Sequence, residues 1–251
     1  MLRVISFNIR YCDDLNENSI AERAPRLEKI LSEYDADIIG FQEYTPKWEK
    51  YIDLFFKTNY DMVKIYRSET DFEATPILWK KDKFVFEKSY HFWLSDTPDT
   101  ESKGWDEICD CCRMCVCVKL VEKSTGKKIN FINTHFGFGD NCQLKSISLI
   151  NHFCQHITDE PICIVGDFNM QPTSNGYKEM IKYFDDTNSL TAKDYRNTYH
   201  GYFLNSIDGL HIDYCFVNKM LYPKSRKLID KTIDGKFPSD HFGVYIEFEN
   251  L

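Results

Sequence analysis

Short apolar segments that end in polar side chains recur along this chain, and they restrict its possible folds more than any other feature. The segment LRVISFNIR alternates in polarity and is rich in β-branched residues, which predicts a first strand with Ser6, Asn8 and Arg10 on one face. ADIIGFQE (36–43) and PICIVGDFN (161–169) are short apolar runs with polar residues at their ends, as expected for buried strands. The sequence therefore predicts buried strands that carry polar groups at their tips.

Helical segments lie between the predicted strands. Apolar residues recur with helical spacing at Ile20, Leu27, Ile30 and Leu31, and PKWEKYIDLFF predicts a second helix. Two more helices are predicted near 142–157 and 174–182, and further strands near 60–66, 75–80, 83–91, 111–121, 128–135, 211–217, 222–230 and 242–248. Strands interleaved with helices predict one α/β (α+β) domain, residues 1–251, in which helices cover mixed sheets.

The composition limits the ligands and the cellular setting. A net charge of −8 argues against the broad cationic surface that extended duplex DNA requires, and it favours a small or locally presented substrate. No apolar run approaches the roughly 18 residues of a membrane-spanning helix, and MLRVISFNIRY does not resemble a secretory signal. Ten cysteines in a chain long enough to build a core are expected to be buried, unpaired thiols. We therefore expect a cytoplasmic protein, and we expect it to be a monomer.

Five of the ten cysteines lie in the segment CDCCRMCVC, residues 109–117. Cys112 and Cys115 form one CxxC pair, but a second pair at the spacing of a zinc site is missing. As a strand, the segment has small or apolar residues on both faces, which favours packing over zinc binding. An unpaired guanidinium is costly in such a strand, so Arg113 is expected to face a carboxylate or a substrate phosphate.

The polar strand tips are expected to converge, because ligands gather at one end of the strands in an open α/β sheet. These tips carry Asn8, Glu43, Asn133, His135, Asp167, Asn169, Asp213, Asp240 and His241. Carboxylate and amide oxygens form a ligand set that suits Mg²⁺ or Mn²⁺ better than zinc. The two histidines and the remaining carboxylates would then serve proton transfer and orient the imidazoles.

The motifs FNIR, QE, NTHF, GDFN, HIDY and SDH, in this order, resemble the endonuclease/exonuclease/phosphatase superfamily. The segments FWLSDTP, SKGW and EATPILWKKDKF are similar to a bacterial subgroup of uncharacterised members. The resemblance covers residues 3 to about 249. It implies a deoxyribonuclease-like, four-layer sandwich of two mixed β-sheets flanked by helices, with the site at one edge of the sheets.

The resemblance also implies a metal site. Glu43 would be the principal ligand of Mg²⁺, with Mn²⁺ as a possible substitute. Asn8 and Asp240 would assist it. Asp167 and Asn169 would position the attacking water and a phosphate oxygen.

The two histidines would act from opposite sides of the phosphorus. His241 would pair with Asp213, and His135 would pair with Glu73. The sequence leaves the base open between Asp167 and His241, and the expected partner Asp213 favours His241.

Arg113, Arg10 and Asn133 are the predicted substrate-binding residues. The bacterial subgroup has an arginine at the position of Arg113, and Arg10 shares the strand face of Asn8. For Arg10, a surface salt bridge is an equally good interpretation.

Other assignments have structural alternatives. In the alternative interpretation, Asn8 would cap a turn instead of binding a metal. Glu43 would instead lie at the start of the helix that the TP dipeptide at 45–46 predicts. Glu69 and Asp71 are alternatives to Glu73, which lies in a predicted loop.

The sequence thus predicts a Mg²⁺-dependent phosphoesterase that cleaves its substrate by in-line attack of water. The expected substrates are small or single-stranded: RNA, a nucleotide, or a sugar or inositol phosphate. The alternatives are a catalytically silent binding module of the same fold and a nonspecific DNA endonuclease. The loops 94–107 and 197–203 are predicted to border the cleft, and aromatic residues there are candidates for stacking on a base or sugar: Trp93, Trp105, Tyr199, His200 and Tyr202.

Overall fold

Two six-stranded mixed sheets form in the computed structural model, which describes residues 1–157, 159–191, 193–203, 209–249 and 251. The strands are β1 (Leu2–Asn8), β2 (Ile38–Gln42), β3 (Tyr60–Val63), β4 (Ile77–Lys80), β5 (Phe84–Trp93), β6 (Met114–Glu122), β7 (Lys128–His135), β8 (Ile162–Asp167), β9 (Asp185–Asp186), β10 (Asp213–Val217), β11 (Pro223–Ile229) and β12 (Gly243–Phe248). The helices are α1 (Ile20–Ser32), α2 (Pro46–Phe56), α3 (Asp140–Cys154), α4 (Asn175–Met180) and α5 (Thr187–Leu190). The helices within the described ranges are too short or too polar to cross a bilayer.

The strand order brings polar strand ends to one edge of both sheets. The first sheet has the order β11-β12-β1-β2-β4-β3, and the second has the order β5-β6-β7-β8-β10-β9. Within them, β1 runs parallel to β2 and β7 runs parallel to β8, so Asn8 lies opposite Gln42 and His135 lies opposite Asp167. β10 is antiparallel to β8, and its first residue, Asp213, therefore also pairs with Asp167. Strand ends and strand beginnings thus meet at the same edge.

Alternation along each strand builds the layers. The side chains of Leu2 and Val4 pack between the sheets, whereas Ile5 and Phe7 of the same strand pack under helices α1 and α2. Helices α3 and α4 cover the outer face of the second sheet in the same way. The predicted α/β sandwich of two mixed sheets flanked by helices is confirmed.

The cysteine-rich strand behaves as its alternation predicts, apart from its beginning. Met114, Val116 and Val118 face the core between the sheets, and Cys115 and Cys117 face the helices. All ten cysteines are free thiols. The predicted strand at 111–121 instead begins at Met114, so Arg113 lies just before it. The elements β9 and α5 were not predicted, because two and four residues are too few to show a period.

Asn133 joins the two sheets instead of facing a substrate. Its amide donates to the carbonyls of Phe41 at 2.7 Å and Pro76 at 2.9 Å, and its oxygen accepts a hydrogen bond from Gln42 Nε2 at 2.7 Å. The side chain is fully buried, and these bonds occupy both of its polar ends. We therefore do not retain Asn133 as a substrate-binding residue.

Because the two sheets approach closely at Asn133, we expect Gly40 of β2 to have no room for a larger side chain. A Cβ atom at Gly40 would lie 2.8 Å from Val165 Cγ2 and 3.0 Å from Asn133 Cγ, both in the opposing sheet. We expect Gly40→Ala to lower the free energy of unfolding by about 1–3 kcal/mol, because neither neighbour can yield without disturbing the core. The measurement is urea unfolding. Lys227→Ala, an exposed change in β11 of the same sheet, is the control, and equal midpoints for both variants would contradict the tight contact.

Candidate active site

An open cleft of about 640 Å³ lies at the edge where the polar strand ends meet. Nine of the predicted site residues line it: Arg10, Glu43, Glu73, Arg113, His135, Asp167, Asn169, Asp240 and His241. Asn8 and Asp213 lie behind them, hydrogen-bonded to residues of the lining. The structure therefore brings together residues that are far apart in the sequence.

Asn8 links two carboxylates that come from different sheets. Its Nδ2 donates to Glu43 Oε1 at 2.9 Å and to Asp167 Oδ2 at 3.0 Å. Its Oδ1 accepts a hydrogen bond from the backbone amide of Arg10 at 3.0 Å. Asn8 is fully buried, so this amide fixes the separation of the two acids.

Glu43, His135 and Asp167 form a group that fits a divalent cation. One ligand atom from each lies within 4.8 Å of the others. Burial, followed by the charge of Asp213, raises the pKa of Asp167, which shows how poorly the group tolerates a further uncompensated negative charge. A cation would relieve that repulsion, and the two carboxylates of the group suit Mg²⁺ or Mn²⁺. Within the described ranges, no cysteine of residues 109–117 belongs to such a group.

Asp240, a predicted metal ligand, has a different partner. Its Oδ2 lies 2.5 Å from Nη1 of Arg10, and it is outside the close group around Glu43. Arg10 also contacts Asp14, with 2.5 Å between Nε and Oδ2. The ion pair occupies Oδ2 of Asp240, so a ligand role would fall to its Oδ1. The interpretation of Arg10 as a salt-bridge residue is supported, although the bridge lies in the wall of the cleft.

His241 and Asp213 form the predicted pair. His241 Nδ1 lies 2.9 Å from Asp213 Oδ2, and Nε2 lies 3.8 Å from Asp167 Oδ2. Burial alone would lower the pKa of His241, but the charge and hydrogen bond of Asp213, together with Asp167, raise it to about 10. At neutral pH this imidazole is therefore a proton donor.

The imidazole of His135, unlike that of His241, is held in its neutral form. Its Nδ1 lies 3.4 Å from Glu73 Oε1 and its Nε2 lies 3.6 Å from Asp167 Oδ2. Burial, and then the charge of Arg113, keep the pKa of His135 well below its usual value. The structure places Glu73 next to His135, as predicted. The same Glu73 oxygen also contacts Arg67 Nη1 at 2.8 Å, a partner that the sequence pattern did not assign.

Arg113 presents a guanidinium to the cleft. Its side chain is only 5% exposed, and its Nε donates to Asp106 Oδ2 at 3.2 Å. Among the described residues, neither Nη group has a hydrogen-bond partner. A buried guanidinium with two free donor groups at a cleft wall is suited to binding an anion. Asp106 lies in the loop 94–107, where no local sequence pattern indicated its role.

Of the predicted aromatic residues, one lines the cleft and two are held by hydrogen bonds elsewhere. Tyr199 lines the cleft. The indoles of Trp93 and Trp105 instead donate to the Arg67 carbonyl at 2.7 Å and to Asp96 at 3.0 Å. Three more aromatic residues that we did not predict, Tyr11, Phe72 and Phe138, line the cleft.

Three residues of the cleft have backbone angles that side chains seldom adopt. Arg10, Glu43 and Asn169 have φ values of 61°, 60° and 47°. Each follows the end of β1, β2 or β8 within two residues. Such conformations cost about 1–3 kcal/mol each for most residues and concentrate at functional sites. The strained turns aim these three side chains at the cleft.

The fold and the site define a class, the α/β sandwiches with an acid- and histidine-rich cleft at one edge of two sheets. Residues 149–241 match the sequence model of the endonuclease/exonuclease/phosphatase family. The chain is 25% identical, over 99% of its length and 100% of the relative's, to the uncharacterized protein L388 of Acanthamoeba polyphaga mimivirus.

Two solved structures match over nearly their whole length. The endonuclease/exonuclease/phosphatase protein of Bacteroides vulgatus has 26% identity and a TM-score of 0.90, covering 99% of this chain and 98% of that one. The mannosyl-6-phosphatase of Bacteroides thetaiotaomicron has 25% identity and a TM-score of 0.87, covering 99% of both chains. This chain is therefore similar to proteins of the endonuclease/exonuclease/phosphatase family, in sequence over residues 149–241 and in fold over nearly its whole length.

The Asp213–His241 pair should make the free energy of unfolding depend on pH. The folded pKa of His241, about 10, lies above the unfolded value of about 6.5. The pair's contribution to stability is therefore complete below pH 6.5 and is lost as the pH rises through 10. We expect Asp213→Asn to lower the pKa of His241 by several units and to flatten the dependence of unfolding free energy on pH in that window.

The measurement is NMR titration of the imidazoles in metal-free protein, with denaturant unfolding at each pH. Asp82→Asn, at an exposed turn, is the matched control and should leave the titration of His241 unchanged. A wild-type His241 that titrates near 6.5 would contradict the assigned charge.

Proposed function

We propose that this protein is a Mg²⁺-dependent phosphoesterase that hydrolyses a phosphomonoester of a small sugar-like molecule. The observation that carries the proposal is the shared position of Asp167. It lies beside Glu43 and His135 on one side and beside the His241–Asp213 pair on the other. A cation site and a proton donor would then flank one phosphoryl group.

Glu43 would be the principal ligand of Mg²⁺, or of Mn²⁺, with His135 and Asp167 within reach. The bound cation would supply charge neutralisation at the phosphoryl oxygens. The remaining roles belong to the chain itself. Asp167 lies between Glu43 and His241 and has a raised pKa, so its carboxylate is placed to accept a proton from the attacking water.

The charge of His241 assigns it the opposite role. An imidazole with a pKa of about 10 is protonated at neutral pH, so it would donate a hydrogen bond or a proton to a phosphoryl or leaving oxygen. This assignment favours Asp167 over His241 as the base, the reverse of the preference that the sequence suggested. Asn169 would orient the phosphate, since its backbone amide is bound to Asp167 Oδ1 at 3.0 Å.

Charge supports a small substrate. Three arginines line the cleft. Arg10 and Arg67 contact carboxylates through their Nη groups, whereas Arg113 pairs with Asp106 through Nε alone, which leaves its Nη groups for a phosphate. A single available cation suits one terminal phosphate better than a polynucleotide backbone, which needs many contacts. The likeness to a mannosyl-6-phosphatase over 99% of both chains favours a sugar phosphate over RNA or a nucleotide. The carboxylates that line the cleft also disfavour activity as a nonspecific DNA endonuclease.

We further propose that residues 1–251 act as a single domain and a monomer in a bacterial cytoplasm. Free thiols throughout the chain support a reducing compartment. The similar structures from Bacteroides support the bacterial setting.

Hydrolysis of a panel of phosphate esters, with and without Mg²⁺, tests the proposal. We expect Mg²⁺-dependent release of phosphate from sugar phosphomonoesters. Glu43→Gln and His241→Gln should each lower kcat/KM by at least about 100-fold, because one removes a ligand charge and the other removes the charged donor.

The control is Tyr222→Ala, a change at an exposed residue outside the cleft, which should keep wild-type kinetics. Activity retained by both Glu43→Gln and His241→Gln would contradict the assigned site. Binding of phosphate esters without turnover would support the silent binding module instead.

A further inference from the structure

Two aromatic side chains lie half exposed in the lining of the cleft. Tyr11 and Phe72 are each 53% exposed, in a cleft that also carries buried acids, histidines and an arginine. Isolated exposed aromatic residues are common on protein surfaces. A pair of them in the lining of one candidate active site presents apolar area where a ligand would cover it.

The backbone on which each ring is mounted is held by residues of the site. The amide of Tyr11 donates to Glu43 Oε2 at 2.7 Å. Phe72 lies between Asp71, which pairs with Arg67, and Glu73, whose amide donates to Asp71 Oδ1 at 3.2 Å. The Phe72 ring also packs edge-on against Tyr66, with 5.8 Å between centroids. The backbone of Tyr11 and the ring of Phe72 are therefore held in place, which lowers the ordering entropy lost when a ligand stacks there.

The surroundings of the rings are acidic. Asp71 is adjacent to Phe72, and Asp14 lies beside Arg10, the neighbour of Tyr11. Among the described cleft residues, Arg113 is the arginine without a carboxylate bound to its Nη groups. Both acids are paired with arginines, so this rim offers no free cation for a second phosphate, while the carboxylate oxygens can still accept hydrogen bonds from the hydroxyls of an uncharged group.

We propose that Tyr11 and Phe72 form the subsite for the leaving group, and that this subsite binds the uncharged ring of a sugar whose phosphate reaches Arg113 and His241. The inference rests on the proposed phosphoesterase function and specifies its substrate. The apolar C–H face of the sugar ring would lie on the aromatic rings, and its hydroxyls would face Asp71 and the rim. Tyr11 and Phe72 would thus set specificity without touching the reacting phosphorus.

The test compares a ring-bearing substrate with a ringless one. KM and kcat are measured for a hexose 6-phosphate and for glycerol 3-phosphate, with wild type, Tyr11→Ala, Phe72→Ala and Phe72→Trp. We expect each alanine variant to raise KM for the hexose phosphate by about two- to tenfold, the contribution typical of one ring contact. KM for glycerol 3-phosphate should change less than twofold, and Phe72→Trp should restore the hexose KM.

The exposed aromatic residue Tyr222 supplies the matched control, since Tyr222→Ala removes a ring outside the cleft and should change neither KM. Equal effects of the cleft variants on both substrates would overturn the ring subsite while leaving the phosphoesterase intact. A selective loss for adenosine monophosphate, with hexose phosphate unaffected, would overturn the sugar assignment. If wild-type protein with Mg²⁺ hydrolyses no ester, the proposed function fails, and the subsite fails with it.

Discussion

The contact of one amide with two carboxylates organises this cleft. Asn8 holds Glu43 and Asp167, which come from different sheets, and their oxygens belong to a group within 4.8 Å. Two unit negative charges at that distance repel by about 3 kcal/mol at an effective dielectric constant near 20. The amide offsets part of this repulsion, and the remainder favours either a proton or a cation. The chemistry that we propose follows from that unbalanced charge.

The two histidines illustrate how neighbours decide the state of a side chain. Both are buried, and burial lowers the pKa of each. Next to His241 stands the carboxylate of Asp213, which reverses the effect of burial. Next to His135 stands the guanidinium of Arg113, which adds to it. Two residues of the same type therefore provide one charged donor and one neutral imidazole around Asp167.

Much of this arrangement was predictable from sequence because strands alternate. Once one face of a strand packs against the other sheet, every second side chain must point between the sheets, and the last of these side chains must lie at the sheet edge. Alternation predicted that Asn8, His135 and Asp167 lie at the sheet edge, where the structure has them. The same reasoning was wrong for Asn133. Its side chain points to the same side of β7 as that of His135, but it lies two residues further from the strand end, where the opposing sheet covers it.

Contacts made by loops were beyond the reach of this argument. Asp106, Arg67 and the rings of Tyr11 and Phe72 lie in segments without periodicity, and nothing local shows what they approach. The pairing of Arg10 with Asp240 was hidden for a similar reason, since 230 residues separate the two. Strand patterns thus predicted the base of the cleft, whereas its rim, where specificity would be determined, required the structure.

Binding of a divalent cation by the acids that Asn8 joins can be seen in an anomalous difference map from crystals grown with Mn²⁺. We expect one strong peak about 2.1–2.2 Å from a carboxylate oxygen of Glu43, with Asp167 or His135 within reach. A peak at the cysteines of residues 109–117, or none near Glu43 at saturating Mn²⁺, would contradict it.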